Sequence, residues 1–170
     1  MLKITAKEII KILDLKPLEI EGGFFAETYR SSMKIEHKSL PDAYRGARCF
    51  STAIYYLITP DNFSYFHRIC SDEIFHFYYG DPVNLIQLNQ NQEAQVSTLG
   101  SDLLKGEQFQ VIVPANIWQA AHLVEGGEFA LLGTTVAPGF EYEDFESARR
   151  EDLIKEYSHE QEIITKLTKE

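Results

Sequence analysis

The sequence predicts an all-β fold, a sandwich or barrel of short strands with a short helix at the N-terminus and helices at the C-terminus. Three observations predict it. From Gly22-Gly23 onward the chain runs in aromatic and β-branched stretches broken by turn residues roughly every 8–12 residues. No helix-length apolar period interrupts those stretches, which argues against a βαβ parallel sheet. Helical spacing is confined to the two ends.

Taken in order, Thr5 and Glu8 have capping-box spacing, and Ile9, Ile12 and Leu13 then recur on one helical face before Pro17 stops the helix. The expected strands are Phe24–Arg30, Thr52–Ile58, Phe63–Ile69, Glu73–Tyr79, Val83–Leu88, Ala94–Leu99, Gln108–Val113, Gln119–Leu123 and Phe129–Val136. Turn chemistry separates them at Pro60-Asp61-Asn62, Gly80-Asp81-Pro82, Asn89-Gln90-Asn91, Pro114-Ala115-Asn116 and Gly126-Gly127. Closing such strands on one another removes exposed edges. Phe145, Ala148, Leu153 and Tyr157 sit near helical spacing within 144–157, and Ser158 and Gln161 repeat the capping-box spacing ahead of Ile163, Ile164 and Leu167. Two short helices are expected to pack on the outside. The stretch Met33 to Arg48 is charged, carries Pro41 and Gly46, and shows no period, so it is the expected mobile loop or lid.

At 170 residues the chain has the length of one domain with a sizeable core. No apolar run approaches the roughly 20 residues of a membrane-spanning helix, so no membrane partner is expected. The first eight residues alternate charge with apolar side chains too soon to form the apolar segment of a secretory signal, and a cytoplasmic location is expected. With 16 basic against 26 acidic residues, the net charge of −10 disfavours neutralising nucleic-acid phosphates. Cys49 and Cys70 have no CxxC spacing and are read as buried thiols.

Chemistry concentrates between Phe63 and Gly80. Strand alternation puts Tyr65, His67 and Ile69 on one face, and Glu73, Phe75, Phe77 and Tyr79 on one face of the next strand, with a turn at Cys70 to Asp72. His67 and Glu73 then project into the same space. A histidine and a carboxylate in an apolar cavity suit either acid/base work or divalent-metal binding. The alternative is a buried His–Glu hydrogen bond that satisfies two polar groups in a core. Tyr56, Tyr65, Phe75 and Phe77 neighbour the pair and suit a planar or cyclic ligand. Arg68 and Arg30 are candidates to neutralise an anionic ligand or to form surface ion pairs. Alternation sends His76 and His122 to the opposite face, unless a bulge re-aims them.

His67, Glu73 and Gly80 resemble the first cupin motif in their spacing, and the segment Gly106 to Gln119, with Pro114 and Asn116, resembles the second. More specifically, the chain resembles the uncharacterised cupin superfamily 5 group, also called domain of unknown function 985. Four blocks carry the likeness: Glu21 to Ser31, Ser51 to Leu57, Phe66 to Gly80, and Val113 to Ala121 followed by Thr135 to Phe145. The resemblance implies a cupin jelly-roll barrel, a homodimer, and no settled activity. His76 is kept as a candidate catalytic residue because it lies within the group's Asp-Glu-aromatic-His block. The chain departs from the pattern at Glu19-Ile20, in place of a His-Pro, and at Ala26, in place of an arginine. It departs again at Ile69 and Gln119, which stand where the resemblance puts two histidine ligands. His67 and Glu73, with Gln119 as a weak carbonyl donor, are left as the metal candidates. The cofactor expected is a weakly held divalent metal such as zinc, or none.

The functional reading is a cavity for a small cyclic metabolite, with His67, Glu73 and His76 as the catalytic candidates of an isomerase or cyclase-like enzyme. A non-catalytic binding or sensing module, and a dimerising protein whose cavity is filled by its own side chains, are the alternatives.

Overall fold

A computed structural model describes residues 4–89 and 93–169. Outside these lie Met1–Lys3, which belong to the segment read against a secretory signal, and Gln90 and Asn91 of the turn expected after Leu88.

The chain opens with α1 (Ala6–Ile12), where the Thr5 side chain caps the Glu8 N–H and the Glu8 carboxylate returns to the Thr5 N–H at 2.8 Å. The strands follow as β1 (Lys16–Pro17), β2 (Phe24–Arg30), β3 (Lys34–Ile35), β4 (Arg48–Cys49), β5 (Thr52–Ile58), β6 (Ser64–Arg68) and β7 (Asp72–Gly80). Next come β8 (Val83–Leu88), β9 (Ala94–Leu99), β10 (Gln110–Val113), β11 (Trp118–Leu123), β12 (Ala130–Ala137) and β13 (Glu146–Ser147). Helices α2 (Arg150–Glu156) and α3 (Gln161–Lys166) end the chain. Every strand expected from the sequence is present, four of them with unchanged bounds.

Two antiparallel sheets face each other, ordered β1-β2-β5-β12-β7-β10 and β13-β6-β11-β8-β9. Their strands are hydrogen-bonded within each sheet and do not join the two into a closed ring, so the expected barrel is a jelly-roll-type sandwich among the described residues. The core between the sheets holds Tyr56, Phe75, Leu85, Leu99, Val113 and Leu132, all from alternating inward positions. Each outer face has its own cover. Ile9 of α1 packs with Leu57 and Phe129 on the six-stranded sheet, while Leu153, Tyr157, Ile164 and Leu167 of the C-terminal segment pack with Phe66, Ile86 and Trp118 on the five-stranded one. Among the described residues no helix is long and apolar enough to cross a membrane.

Three expectations are corrected. The helix read over 144–157 starts only at Arg150, because Tyr142–Asp144 is a 3-10 turn and Glu146–Ser147 pairs with β6 opposite Arg68 and His67. Ser158 opens a 3-10 turn without a side-chain cap, so the second capping box does not form. The stretch Met33 to Arg48 is also no lid. β3 pairs with β4, Tyr44 is buried with its hydroxyl 2.9 Å from Ser71 Oγ, and the fully buried Arg48 guanidinium meets both oxygens of Asp144 at 2.7 and 2.5 Å. A buried charge held by a bidentate partner and by the Tyr44 ring cannot swing free without desolvation loss.

Candidate functional site

A cavity of about 80 Å³ opens between the sheets at the end where β2, β5, β6, β7 and β12 meet the Phe140–Phe145 segment. Its walls include Leu18, Ile20, Phe25, Ile54, Ile69 and Val136, with Phe140, Tyr142 and Phe145 on one side. This is several times the roughly 10–15 Å³ that one water needs, so the space suits a small ligand. The polar groups it presents are Glu21, Glu27, Arg30, Thr52, His67, Glu73 and Thr134.

A β-bulge aims the histidine. Gln119 of β11 lies opposite His67 and Ala121 opposite Ser64, so β6 carries one residue more than its partner between these pairs. The extra residue returns both Ser64 and His67 to the inner face, where both meet Glu21, and leaves Phe66 to pack in the outer cluster with Trp118. The His67 ring stacks on Phe145, with centroids 4.9 Å apart and planes 15° apart. Its Nδ1 lies 2.9 Å from the Tyr65 carbonyl oxygen, which can only accept; Nδ1 therefore carries the hydrogen, and in the neutral ring Nε2 holds the lone pair.

Glu21 was not singled out as a site residue from the sequence, and the structure makes it a principal one. Its Oε1 accepts from Ser64 Oγ at 2.8 Å and its Oε2 lies 3.8 Å from His67 Nε2. The two following glycines explain its position. Gly22 has φ of +105°, and a Cβ there would lie 2.0 Å from the Phe63 carbonyl oxygen; Gly23, at +71°, leaves room for the Tyr56 ring. The Tyr56 hydroxyl donates to the Gly22 carbonyl at 3.0 Å, and the Tyr65 N–H donates to the Glu21 carbonyl. This tight approach seats Glu21 beside β6.

Glu73 enters from the opposite sheet. Burial, and next the charge of Glu21, push its carboxyl above the usual glutamate range, while His67, Thr134 and Gln119 pull the other way. Gln119 Nε2 donates to Glu73 Oε2 at 2.8 Å, leaving Gln119 Oε1 buried with no hydrogen-bond partner. Arg30, at the rim, has its N–H groups directed to Glu27, Glu141, the Phe140 carbonyl and Cys49 Sγ.

The other expected site residues lie elsewhere. Tyr56 and Phe75 are inward but deeper, in the apolar core with Phe77 packed against it. Burial also raises the Tyr56 hydroxyl well above the usual tyrosine range. Tyr65 sits at the bulge, tilted against Phe63 with Lys169 over its ring. Arg68 points outward, paired with Glu146 at 2.8 Å and stacked 4.3 Å over Trp118. His76 is on the outer face of β7, bonded to Thr135 Oγ1 and Gln110 Nε2, and burial lowers its pKa. His122 turns Nδ1 to the Leu123 carbonyl and is likewise lowered by burial. Of the catalytic candidates, only His67 and Glu73 share the cavity. Cys70 is half-buried, its thiol pushed up to about 11 by burial and by Asp144, and is no ready nucleophile.

The donor set for a metal is thin. Among the described residues no three His, Cys, Asp or Glu side chains are grouped to hold an ion. Ile69 contributes hydrocarbon to the wall, and Gln119 turns its NH₂ toward Glu73, so His67, Glu73 and Gln119 do not make the three-ligand set that zinc takes.

The family model described as Cupin superfamily (DUF985) matches residues 7–148. The uncharacterized protein YML079W of Saccharomyces cerevisiae is 31% identical over 144 residues, covering 79% of this chain and 71% of the yeast protein. A hypothetical protein from Leishmania major superposes with a TM-score of 0.88 at 29% identity, over 98% of this chain and 100% of its own. Oxalate decarboxylase from Bacillus subtilis superposes with a TM-score of 0.52 at 13% identity, over 91% of this chain and 37% of its own, which is a likeness of fold.

Proposed function

Because this chain belongs to the Cupin superfamily (DUF985) family, we propose that it binds a small cyclic metabolite in the cavity between its sheets and catalyses metal-independent proton transfer on it. His67 is the general base and Glu73 the general acid. One observation carries the reading. A histidine with its Nε2 lone pair directed into an apolar-walled cavity shares that cavity with a carboxyl biased toward its protonated form. A basic ring nitrogen and a carboxyl held toward its acid form in one site are what acid/base catalysis uses. A proton removed at one position of the ligand and delivered at another is an isomerisation or ring closure, and it consumes no redox cofactor. The likeness to oxalate decarboxylase supplies no substrate, since it is one of fold alone.

Native mass spectrometry of the freshly purified protein identifies the captured molecule. Incubation of that molecule with the protein in D₂O then reads proton transfer as deuterium incorporation. Loss of incorporation by about 10²-fold or more in both H67A and E73Q is the expected result. Full activity in both variants overturns the assigned roles, and saturable binding without exchange replaces the enzyme with a binding or sensing module.

The homodimer is part of the proposal. Its support is the outer face of the six-stranded sheet beyond α1, where Tyr78, Phe109 and Ile112 are exposed. A monomeric mass by analytical ultracentrifugation at micromolar concentration removes it.

A further inference from the structure

We propose that the ligand class taken by this cavity is a small organic ammonium ion, held between the Glu21 carboxylate and the Nε2 lone pair of His67; this rests on the cavity being a ligand site. The donors and acceptors around the cavity are unequal. Its one guanidinium, Arg30, already directs its N–H groups to Glu27, Glu141, the Phe140 carbonyl and Cys49, so it is not free to receive an anion. His67 spends its Nδ1 hydrogen on Tyr65, and Gln119 spends an amide hydrogen on Glu73.

The acceptors are the reverse. Glu21 Oε2 and His67 Nε2 face each other at 3.8 Å, too far for a hydrogen bond, and in the neutral ring both can only accept. Such a site is completed by a ligand that donates several hydrogens and accepts none. An ammonium group does this with three N–H bonds, and its positive charge meets the Glu21 carboxylate.

A neutral alcohol fills one of those bonds without the charge, and an anion meets the Glu21 carboxylate unshielded. The walls agree. Phe25, Phe140, Tyr142 and Phe145 line the cavity with aromatic surface, which suits a cation with a small hydrocarbon body. A cavity of about 80 Å³ keeps that body small. A net charge of −10 on the whole chain also draws cations toward it.

Three probes of six heavy atoms each test the inference on the intact chain: cyclopentylammonium, cyclopentanol and oxalate. Titration calorimetry measures each affinity, and NMR shifts of the His67 and Phe145 rings report whether the probe enters the cavity. The expected order is ammonium over alcohol by roughly tenfold or more, with oxalate not entering. In E21Q the advantage of ammonium over alcohol falls to within about threefold while alcohol binding persists. Alcohol bound in the cavity as tightly as ammonium, or oxalate bound tightest, overturns the charge class and leaves the ligand site standing. No ring shift with any probe overturns it as well, and an empty native mass spectrum of the purified protein would then remove the ligand site too.

Discussion

His67 and Glu21 stand 46 positions apart in sequence yet face each other across 3.8 Å, imidazole Nε2 to carboxylate Oε2, with no hydrogen bond between them. The geometry follows from two local features, the bulge that turns His67 inward and the Gly22 turn that brings Glu21 against β6. It fixes the ring's tautomer, because Nδ1 is already committed to the Tyr65 carbonyl. Long-range ¹⁵N–¹H correlation spectra of the neutral ring are expected to show a protonated Nδ1 and a bare Nε2. A protonated Nε2 in the neutral ring would mean that the base assigned here points the wrong way.

Glu73 makes stability depend on pH in a stated direction. Its carboxyl is raised above the usual glutamate range, first by burial and next by the charge of Glu21. The folded chain therefore holds this proton to higher pH than the unfolded chain does. Its contribution to stability is fully present at low pH and is lost as pH rises through the folded-state value. Glu73→Gln keeps the shape and stays neutral throughout. The melting temperature of E73Q relative to wild type is expected to climb as pH goes from about 5 to about 8. A difference that stays flat or falls over that range would show that Glu73 is ionised in the fold at no cost.

What could be read from the sequence, and what could not, follows the range of the interactions. Strand positions were legible because alternation and turn residues are local, and β2, β5, β8 and β9 match to the residue. Alternation also placed Tyr56 and Phe75 on the inner face, but it gives the face and not the depth, so both fill the core below the cavity instead of lining it. The bulge in β6 leaves no sequence signal that separates Tyr65 from His67. Phe145 has helical spacing from Ala148 and was read as helix core, whereas it lies before α2 and stacks on His67. Glu21 was legible only as part of a Glu-Gly-Gly block. Its neighbours come from Ser64 and His67, and two consecutive glycines were the one local hint that a close approach occurs there.

Gly22 is expected to tolerate no side chain. Gly22→Ala combines an unfavourable φ with a Cβ driven into the Phe63 carbonyl oxygen, which is backbone and cannot rotate away. Strain of about 1–3 kcal/mol predicts a melting temperature lower by roughly 3–10 °C, with loss of ligand binding as Glu21 is displaced. A wild-type melting curve for G22A would show that the turn relaxes freely.

Arg48 anchors the cavity wall from behind. Its side chain is fully buried against Asp144, one residue before the Phe145 ring that covers His67. Arg48→Met leaves the Asp144 carboxylate buried without its bidentate partner, and about 3–5 kcal/mol of stability should be lost. Replacing both partners, as in R48M/D144L, is expected to restore most of that loss, because no unpaired charge then remains inside. Equal melting temperatures for R48M and wild type would assign the pair no structural role.

The two positions that deny this cavity a metal also predict how to create a site for one. Ile69 is buried in the cavity wall, and Gln119 lies opposite His67 in the β6–β11 pairing with its amide against Glu73. Histidines at 69 and 119 would add two imidazoles to His67 and Glu73, giving three nitrogen donors where wild type has one. The wild-type protein is expected to lose zinc on dialysis against a weak chelator, whereas I69H/Q119H retains close to one ion per chain and gains at least roughly tenfold in zinc affinity. Elemental analysis of both proteins after the same dialysis decides it. Stoichiometric zinc in the wild type would overturn the metal-free reading, while a double variant that folds and holds none would show that the β6 bulge aims position 69 away from the shared centre.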